Sequence, residues 1–375
     1  MQICILTEYL DIFKGGNHIP LFGALGDVAV TILTGCMKPV NPDLPANVTV
    51  INLNERLGPY YYGFSGRRFA KAVLRKYPPS NNFWQKFDVI HLNQTMGSKL
   101  IELKETKKPL LYTVHHPVTV DCSIAARESS FFAGIRWYVR YLPLKQAQQR
   151  ICKNCSNVMT VSETVKRLLC KDYDCSADKI FVVPNGVDGD VFHPEDAIET
   201  EFDVIALGSF IHPRKGFKYL LEVYKKLAGL GYRVADVGRR SGEQEKDLAR
   251  IEGITVHGMV EPDQVVSLLK KSAVLISASL YEGFGLSLIE ALVCGRAAFA
   301  FGSGAVPEVL TPIDENLFVP PRDTGALVER VQKYLSLSAE KKAELGRKYR
   351  EKVLDLYSLE NAAGQLKELY RSLAS

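Results

Sequence analysis

Two glutamates, Glu282 and Glu290, stand eight positions apart around a glycine-punctuated turn, Gly283-Phe284-Gly285. Ahead of them, residues 273–277 form an apolar, β-prone run that reads as a buried parallel strand. Behind them, Leu286, Ile289, Leu292 and Val293 recur at helical spacing. The stretch is therefore expected to be strand, turn and helix, with the helix starting near Gly285. Glycine lets a backbone approach a ligand closely. A helix start offers unpaired N–H groups and a positive dipole end to an anion. With Glu282 in the turn and Glu290 on the helix, one pocket could hold a phosphate at the helix end and hydroxyl groups against the acids.

Other residues able to do chemistry also follow apolar runs. Gly208-Ser209-Phe210-Ile211-His212-Pro213-Arg214-Lys215-Gly216 leads into a helix at 217–227, and a cation in such a loop can neutralise a phosphate. His91 in Asp88-Val89-Ile90-His91 and His115-His116 after Leu111-Tyr112-Thr113-Val114 end two strands, where site residues gather in parallel sheets. Gly15-Gly16-Asn17-His18 follows the first strand, and paired glycines there can turn N–H groups toward an anion. No G-x-G-x-x-G follows that strand, and in Gly302-Ser303-Gly304 the third glycine is replaced by Pro307, so a nicotinamide fingerprint is missing.

In this order and spacing the segments resemble the retaining glycosyltransferases of the GT-B fold, specifically family 4. Glu282 to Glu290 has that family's E-x7-E spacing, Lys215-Gly216 its K-G, and Gly304-Ala305-Val306-Pro307-Glu308 its G-x-x-P-E turn. The resemblance implies that Glu282 faces the donor sugar and Glu290 holds the nucleotide ribose, with Gly283, Phe284, Gly285 and Leu286 around the donor. It implies that Gly15 and Gly16 belong to a loop meeting the donor diphosphate and the acceptor. His115 matches the T-x-H position near donor sugar and acceptor, and His91 a second, less specific histidine. His116 stands where many relatives carry Asp, on the acceptor side. The base is held near Met259 through backbone groups, which leaves it unidentified. Ser209 departs from the pattern, because the family commonly has Arg there. Either Arg214 supplies the second cation, or the phosphates are held with one fewer.

These residues need two frameworks to position them. The chain has 375 residues, too many for one ordinary core. Strands are expected at 3–6, 28–33, 48–51, 89–92, 110–113, 158–161 and 180–183, with helices near 18–25, 67–76, 98–104, 131–153 and 163–169. The alternation argues for a parallel sheet covered on both faces. Pro184-Asn185-Gly186 and a polar run to Glu201 read as a linker. Strands then resume at 204–207, 233–237, 254–256, 273–276 and 297–301. The expected architecture is α/β, a GT-B fold of two doubly wound Rossmann-like domains facing a central cleft. Residues 1–190 make the acceptor-side domain and 191–357 the donor domain. Residues 358–375 make a terminal helix that, in the resembled fold, crosses back onto the first domain.

Hydrophobic content of 46% and charged content of 24% are those of a soluble globular protein. No run of about 18 apolar residues is present, so no spanning helix is expected. The first residues read as a strand rather than a signal peptide. A net charge of +5 fits an anionic substrate or membrane surface and is not a nucleic-acid signature. Eight scattered cysteines suggest reduced thiols in a cytosol. Cys152, Cys155, Cys170 and Cys175 have zinc-like spacing, but a strand at 157–161 and a helix at 163–169 leave a compact zinc ribbon little room. Asp188-Gly189-Asp190 is a D-x-D, better explained by its turn than by a metal.

Aromatic and basic residues interleave at 60–76 and 131–145. They suit a membrane interface, and equally a core helix with a solvated face. The expected function is transfer of a sugar, with retention, from a UDP- or GDP-linked donor to a glycan or lipid-linked acceptor. No cofactor or metal is expected, and the location is cytoplasmic, at the inner membrane face where contact is made. In that scheme domain closure excludes water, Lys215, Arg214 and the helix start at Gly285 stabilise the leaving diphosphate, Glu282 holds sugar hydroxyls, and His115 orients sugar and acceptor. The alternatives are another GT-B enzyme, a nucleotide-sugar epimerase or a starch- or sucrose-type synthase, and a noncatalytic sugar-nucleotide binding subunit.

Overall fold

The computed structural model describes residues 1–11, 19–38, 44–58, 60–195 and 199–375. The first half runs β1 (Gln2–Asp11), α1 (Ile19–Gly23), β2 (Ala29–Lys38), β3 (Val48–Asn52), α2 (Phe64–Lys76), β4 (Val89–Asn93), β5 (Leu110–Val114), α3 (Val118–Arg127), α4 (Phe131–Asn154), β6 (Asn157–Thr160), α5 (Glu163–Tyr173) and β7 (Ile180–Val182). The second half runs β8 (Phe202–Leu207), α6 (Phe217–Gly229), β9 (Val234–Val237), α7 (Gly242–Leu248), β10 (Ile254–Gly258), α8 (Pro262–Lys270), β11 (Ser272–Ser277), α9 (Leu286–Val293), β12 (Ala297–Phe301), α10 (Val306–Leu310) and β13 (Phe318–Val319). Three helices close the chain: α11 (Thr324–Leu335), α12 (Ala339–Tyr357) and α13 (Leu359–Ala374).

The chain divides into two units, Met1–Gly186 with Leu359–Ser375, and Val187–Ser358. Each contains one parallel sheet. The first has strand order β3-β2-β1-β4-β5-β6-β7 and the second β10-β9-β8-β11-β12-β13. The doubly wound α/β architecture expected from the alternation is present in both. Strands β4, β5 and β12 are buried at every position, as strands covered on both faces must be.

In the first unit Ile3, Ile5, Val30 and Ile32 form one core with Leu21 and Phe22 of α1 and Ala362, Ala363, Leu366, Leu369 and Tyr370 of α13. The terminal helix is thus part of the core of the first unit. In the second unit Gly346 of α12 lets that helix approach α9, since a Cβ there would lie 2.4 Å from the carbonyl oxygen of Gly295.

Some elements differ from expectation. Residues 98–106 form a 3-10 segment rather than an α-helix, and α3 and the short β13 were not anticipated. Thr119, Val120 and Asp121 are weak helix formers, so α3 is set by tertiary packing. Buried Gln148 of α4 accepts the Val118 N–H (2.9 Å) and the Tyr173 hydroxyl (2.6 Å). Asp188 Oδ1 accepts the N–H groups of Asp190 (2.9 Å) and Val191 (3.2 Å), so the D-x-D is folded into its own turn. The thiols of Cys152, Cys155 and Cys175 are buried, which raises their pKa values, and Cys170 is half-buried.

Candidate active site

In the second sheet β8 and β11 are neighbours without being consecutive, so the chain winds away from this pair in both directions. Parallel sheets receive ligands at the carboxyl ends of such a pair. Two loops emerge there, residues 208–216 and 278–285. The Leu280 N–H donates to the Arg214 carbonyl (2.7 Å) and Arg214 Nη1 to the Tyr281 carbonyl (2.9 Å). The Ser303 hydroxyl, from the loop after β12, donates to the Ser279 carbonyl (2.6 Å).

Gly216 allows the closest approach. Its φ is +67°, and a Cβ would stand 1.9 Å from the Ala278 carbonyl oxygen. Gly216→Ala is therefore expected to push the two loops apart, costing at least about 1–3 kcal/mol and most donor turnover. Thermal melting and turnover check this together, and an unshifted melting temperature would show that the loops separate freely.

The chemical groups meet between these loops. Lys215 Nζ donates to Glu282 Oε1 (2.7 Å), and Arg214 Nη1 lies 3.6 Å from Glu282 Oε2. All three side chains are largely buried. Burial alone would raise the Glu282 pKa, but the Lys215 ammonium and then the Arg214 guanidinium outweigh it and hold the carboxyl at about 2. Its folded pKa is lowered, so the stability from this pairing is full above the ordinary 4.5 and is lost as pH falls toward about 2.

Glycine also starts the next element: Gly285, at φ +102°, caps α9. Leu286 opens the helix half-buried, while the Phe284 ring turns inward against Tyr357 at 5.3 Å. Gly283 is half-buried beside Glu282. Glu290 lies on α9, and burial pushes its carboxyl up to about 7. No partner holds that carboxyl among the described residues. One acid is thus a permanent anion while the other titrates near neutrality.

The raised pKa of Glu290 means that stability falls as pH rises from about 4.5 through about 7, where the folded chain holds the extra proton. Glu290→Gln is expected to flatten that slope. It is also expected to weaken donor binding by about 1.5–3 kcal/mol if the carboxylate accepts a ribose hydroxyl. Calorimetric titration with donor at two pH values checks both, and unchanged affinity would reject the ribose role.

Ser209 is exposed and carries no charge. Directly behind its turn lies a cation that motif reading missed. Arg240, 7% exposed, donates from Nη1 to the carbonyls of Gly208 (2.8 Å) and Arg239 (3.1 Å), and its guanidinium carbon lies 3.9 Å from the Phe210 ring centre. It pairs with fully buried Asp236, which also accepts the Tyr224 hydroxyl (2.7 Å). The only sequence signal was a charged pair, Arg239-Arg240, immediately after a strand. Met259, after β10, is 65% exposed.

In the first sheet the corresponding pair is β1 and β4. Gly15 and Gly16 lie outside the described residues. Glu8, near the end of β1, is buried, and its Oε1 accepts the Met96 N–H (2.6 Å) and the Thr95 hydroxyl (3.0 Å). Burial raises its pKa against those hydrogen bonds. His91 is enclosed within β4, with Nδ1 2.7 Å from the Tyr370 hydroxyl and Nε2 2.5 Å from the Thr113 hydroxyl. That placement ties the sheet to α13. His115 and His116 are half-buried just beyond β5, and His116 Nε2 lies 3.0 Å from Asp121 Oδ2 of α3.

Two doubly wound parallel sheets, one in each unit, are the architecture of the GT-B fold. A sucrose-phosphate synthase from Thermosynechococcus elongatus has the same fold (TM-score 0.79, 21% identity, covering 99% of this chain and 98% of that one). So does the Anabaena protein HepE, solved with UDP-glucose (TM-score 0.71, 16% identity, covering 99% and 100%). Residues 26–191 match the profile of Glycosyltransferase Family 4, and residues 201–336 that of Glycosyl transferases group 1. The chain belongs to this family of glycosyltransferases. Among curated relatives, the MMP alpha-(1->4)-mannosyltransferase of Mycolicibacterium hassiacum is 29% identical over 297 residues, 76% of this chain and 70% of that one. The Saccharomyces cerevisiae phosphatidylinositol N-acetylglucosaminyltransferase GPI3 subunit is 23% identical over 237 residues, and the aligned part spans 59% of this chain and 52% of that subunit.

Proposed function

We propose that the protein is a retaining glycosyltransferase that moves a sugar from a nucleotide-diphosphate sugar to a glycan or lipid-linked acceptor. The observation that carries this reading is the Lys215–Glu282 pair, with Arg214 behind it and the α9 start beside it, at the carboxyl edge of β8 and β11. As the glycosidic bond breaks, negative charge develops on the leaving diphosphate. Lys215 and Arg214 meet that charge, and Glu282 then accepts hydroxyls of the sugar. Pairing with Glu282 keeps the Lys215 ammonium in place before donor arrives. Glu290 accepts the ribose hydroxyls, and His115 orients the sugar and acceptor.

HepE, with its bound UDP-glucose, supports a uridine donor, and the relatives that transfer mannose or N-acetylglucosamine leave the sugar to experiment. By the family resemblance, attack comes from the face the nucleotide leaves, so the anomeric configuration is kept. No divalent metal takes part in this scheme. Contact with the membrane in this reading is peripheral; no helix among the described residues is long and apolar enough to cross one.

The test is a screen of UDP- and GDP-sugars by thermal shift and by nucleotide release, with and without acceptor sugars, followed by proton NMR of the product anomer. Acceptor-dependent release with a retained anomer is expected. Donor consumption that needs no acceptor would mark an epimerase, and absence of both binding and release would reject the proposal.

A further inference from the structure

A second cavity lies in the first unit, remote in sequence from the Lys215 and Glu282 loops. It is a groove of about 770 Å³ lined by α2, α4 and the 3-10 segment at 98–106. Its floor is apolar, with Leu74, Met96, Pro143 and Ala147. Its rim is cationic, with Arg67, Lys71, Lys99 and Arg150, and these four have no ion-pair partner among the described residues. A fifth, Arg75, is neutralised by Glu55 at 2.6 Å. Glu102 is the only carboxylate lining the groove. Four cations without an ion pair among the described residues, around an apolar floor, form a site for an anion that carries apolar substance with it.

The helix that walls the groove shows where that substance lies. Along α4, residues 135, 139, 142, 146 and 150 fall on one face. Gln146 and Arg150 line the groove, while Ile135, Val139 and Leu142 on the same face are 49%, 51% and 41% exposed. Beyond them, Phe131 and Phe132 are 76% and 82% exposed. At the start of α2, Tyr62 and Phe64 are also exposed, with ring centres 6.2 Å apart. Solvated aromatic and aliphatic side chains running directly into a basic groove match the layering of a lipid bilayer surface, acyl chains beside anionic headgroups. The helix does have a core face, where Tyr141 and Leu144 pack with Met96, Val118 and Cys122 and Trp137 lies against them, but that face leaves Phe131, Phe132, Ile135, Val139 and Leu142 exposed.

We infer that this groove binds the anionic headgroup of a membrane phospholipid, with the exposed face of α4 entering the interface. The inference rests on the membrane-surface part of the proposed function and names its site. The phosphate of the headgroup sits among Arg67, Lys71, Lys99 and Arg150, and its glyceride end lies toward Leu142 and Val139. Binding is electrostatic in its charge-dependent part and weakens with salt.

The test is co-sedimentation of the full chain with vesicles of phosphatidylcholine alone or mixed with phosphatidylglycerol. Binding is expected only to the mixed vesicles. Arg67→Glu/Lys99→Glu and Phe131→Ser/Phe132→Ser are each expected to lower the partition coefficient by roughly tenfold or more. Arg347→Glu/Lys348→Glu makes the same charge change on exposed residues of α12, and is expected to change it less than about twofold. Thermal melting confirms that each variant is folded. Wild-type chain that ignores anionic vesicles would overturn the inference and the membrane reading with it. Binding that survives the groove reversal, or falls equally in the α12 control, would overturn the groove while leaving the membrane reading intact. Donor release in solution reports separately on the glycosyltransferase site.

Discussion

Lys215→Ala is expected to lower donor turnover by about 100- to 1,000-fold, and added magnesium is not expected to restore it. The lysine is the group nearest Glu282, and with Arg214 it supplies the positive charge at the proposed phosphate end. In the proposed scheme a leaving nucleotide diphosphate gathers charge as the sugar departs, and without Lys215 the described groups left to meet it are Arg214 and the α9 start. The substitution also leaves Glu282 with one cation at 3.6 Å, so its carboxyl is expected to rise from about 2 toward the ordinary range. Transferases that depend on a metal meet the diphosphate charge with an ion held by acidic ligands instead. The check is turnover of chelator-treated wild-type and variant chains, each with and without magnesium or manganese. Activity lost on chelation and recovered with either ion would overturn the assignment of charge stabilisation to Lys215.

The second large effect concerns stability. Arg240→Met is expected to cost about 3–5 kcal/mol, because it leaves Asp236 as a buried carboxylate without its cation. Asp236 Oδ2 and Arg240 Nε have no hydrogen-bond partner among the described residues, so the pair has little reserve to absorb the change. The donor to the Gly208 carbonyl is lost as well, and with it the brace behind the turn carrying Ser209. Replacing both members, Arg240→Met with Asp236→Leu, is expected to recover much of the stability, since no bare charge remains. The donor KM is expected to stay raised in the double variant, because the turn still lacks its brace. Denaturant unfolding and donor kinetics of the two variants separate these effects. A single variant as stable as the parent would show that the buried pair contributes little.

The strand-turn-helix around Glu282 was legible because its instructions are local. Glycines mark the turn, apolar residues change period from strand to helix, and the acids sit on either side of that change. Lys215 was legible for the same reason, as a cation between glycines after a strand. Arg240 was not, since its role depends on the Gly208 turn folding back over it from another strand, and adjacency of that kind is absent from residue spacing. His91 looked like a strand-end ligand, but every position of β4 is buried, so alternation could not show which face its ring takes. The aromatic residues of α4 were ambiguous in sequence because a buried stripe and an exposed stripe have the same period. Only neighbouring elements decide, and none among the described residues covers Phe131 or Phe132.

The place of α13 has a consequence for how the protein is made. On the ribosome, β1 to β7 emerge first, yet the helix that completes their core comes after all of Val187–Ser358. At synthesis rates of roughly 5–20 residues per second, that interval lasts on the order of ten to thirty seconds. During it the apolar face formed by Ile3, Ile5, Val30 and Ile32 lacks Leu366 and Tyr370, and the His91 ring lacks its tyrosine partner. The nascent chain therefore carries a hydrophobic surface that a chaperone can hold, and a stop codon just before Leu359 would leave that surface open for the life of the protein.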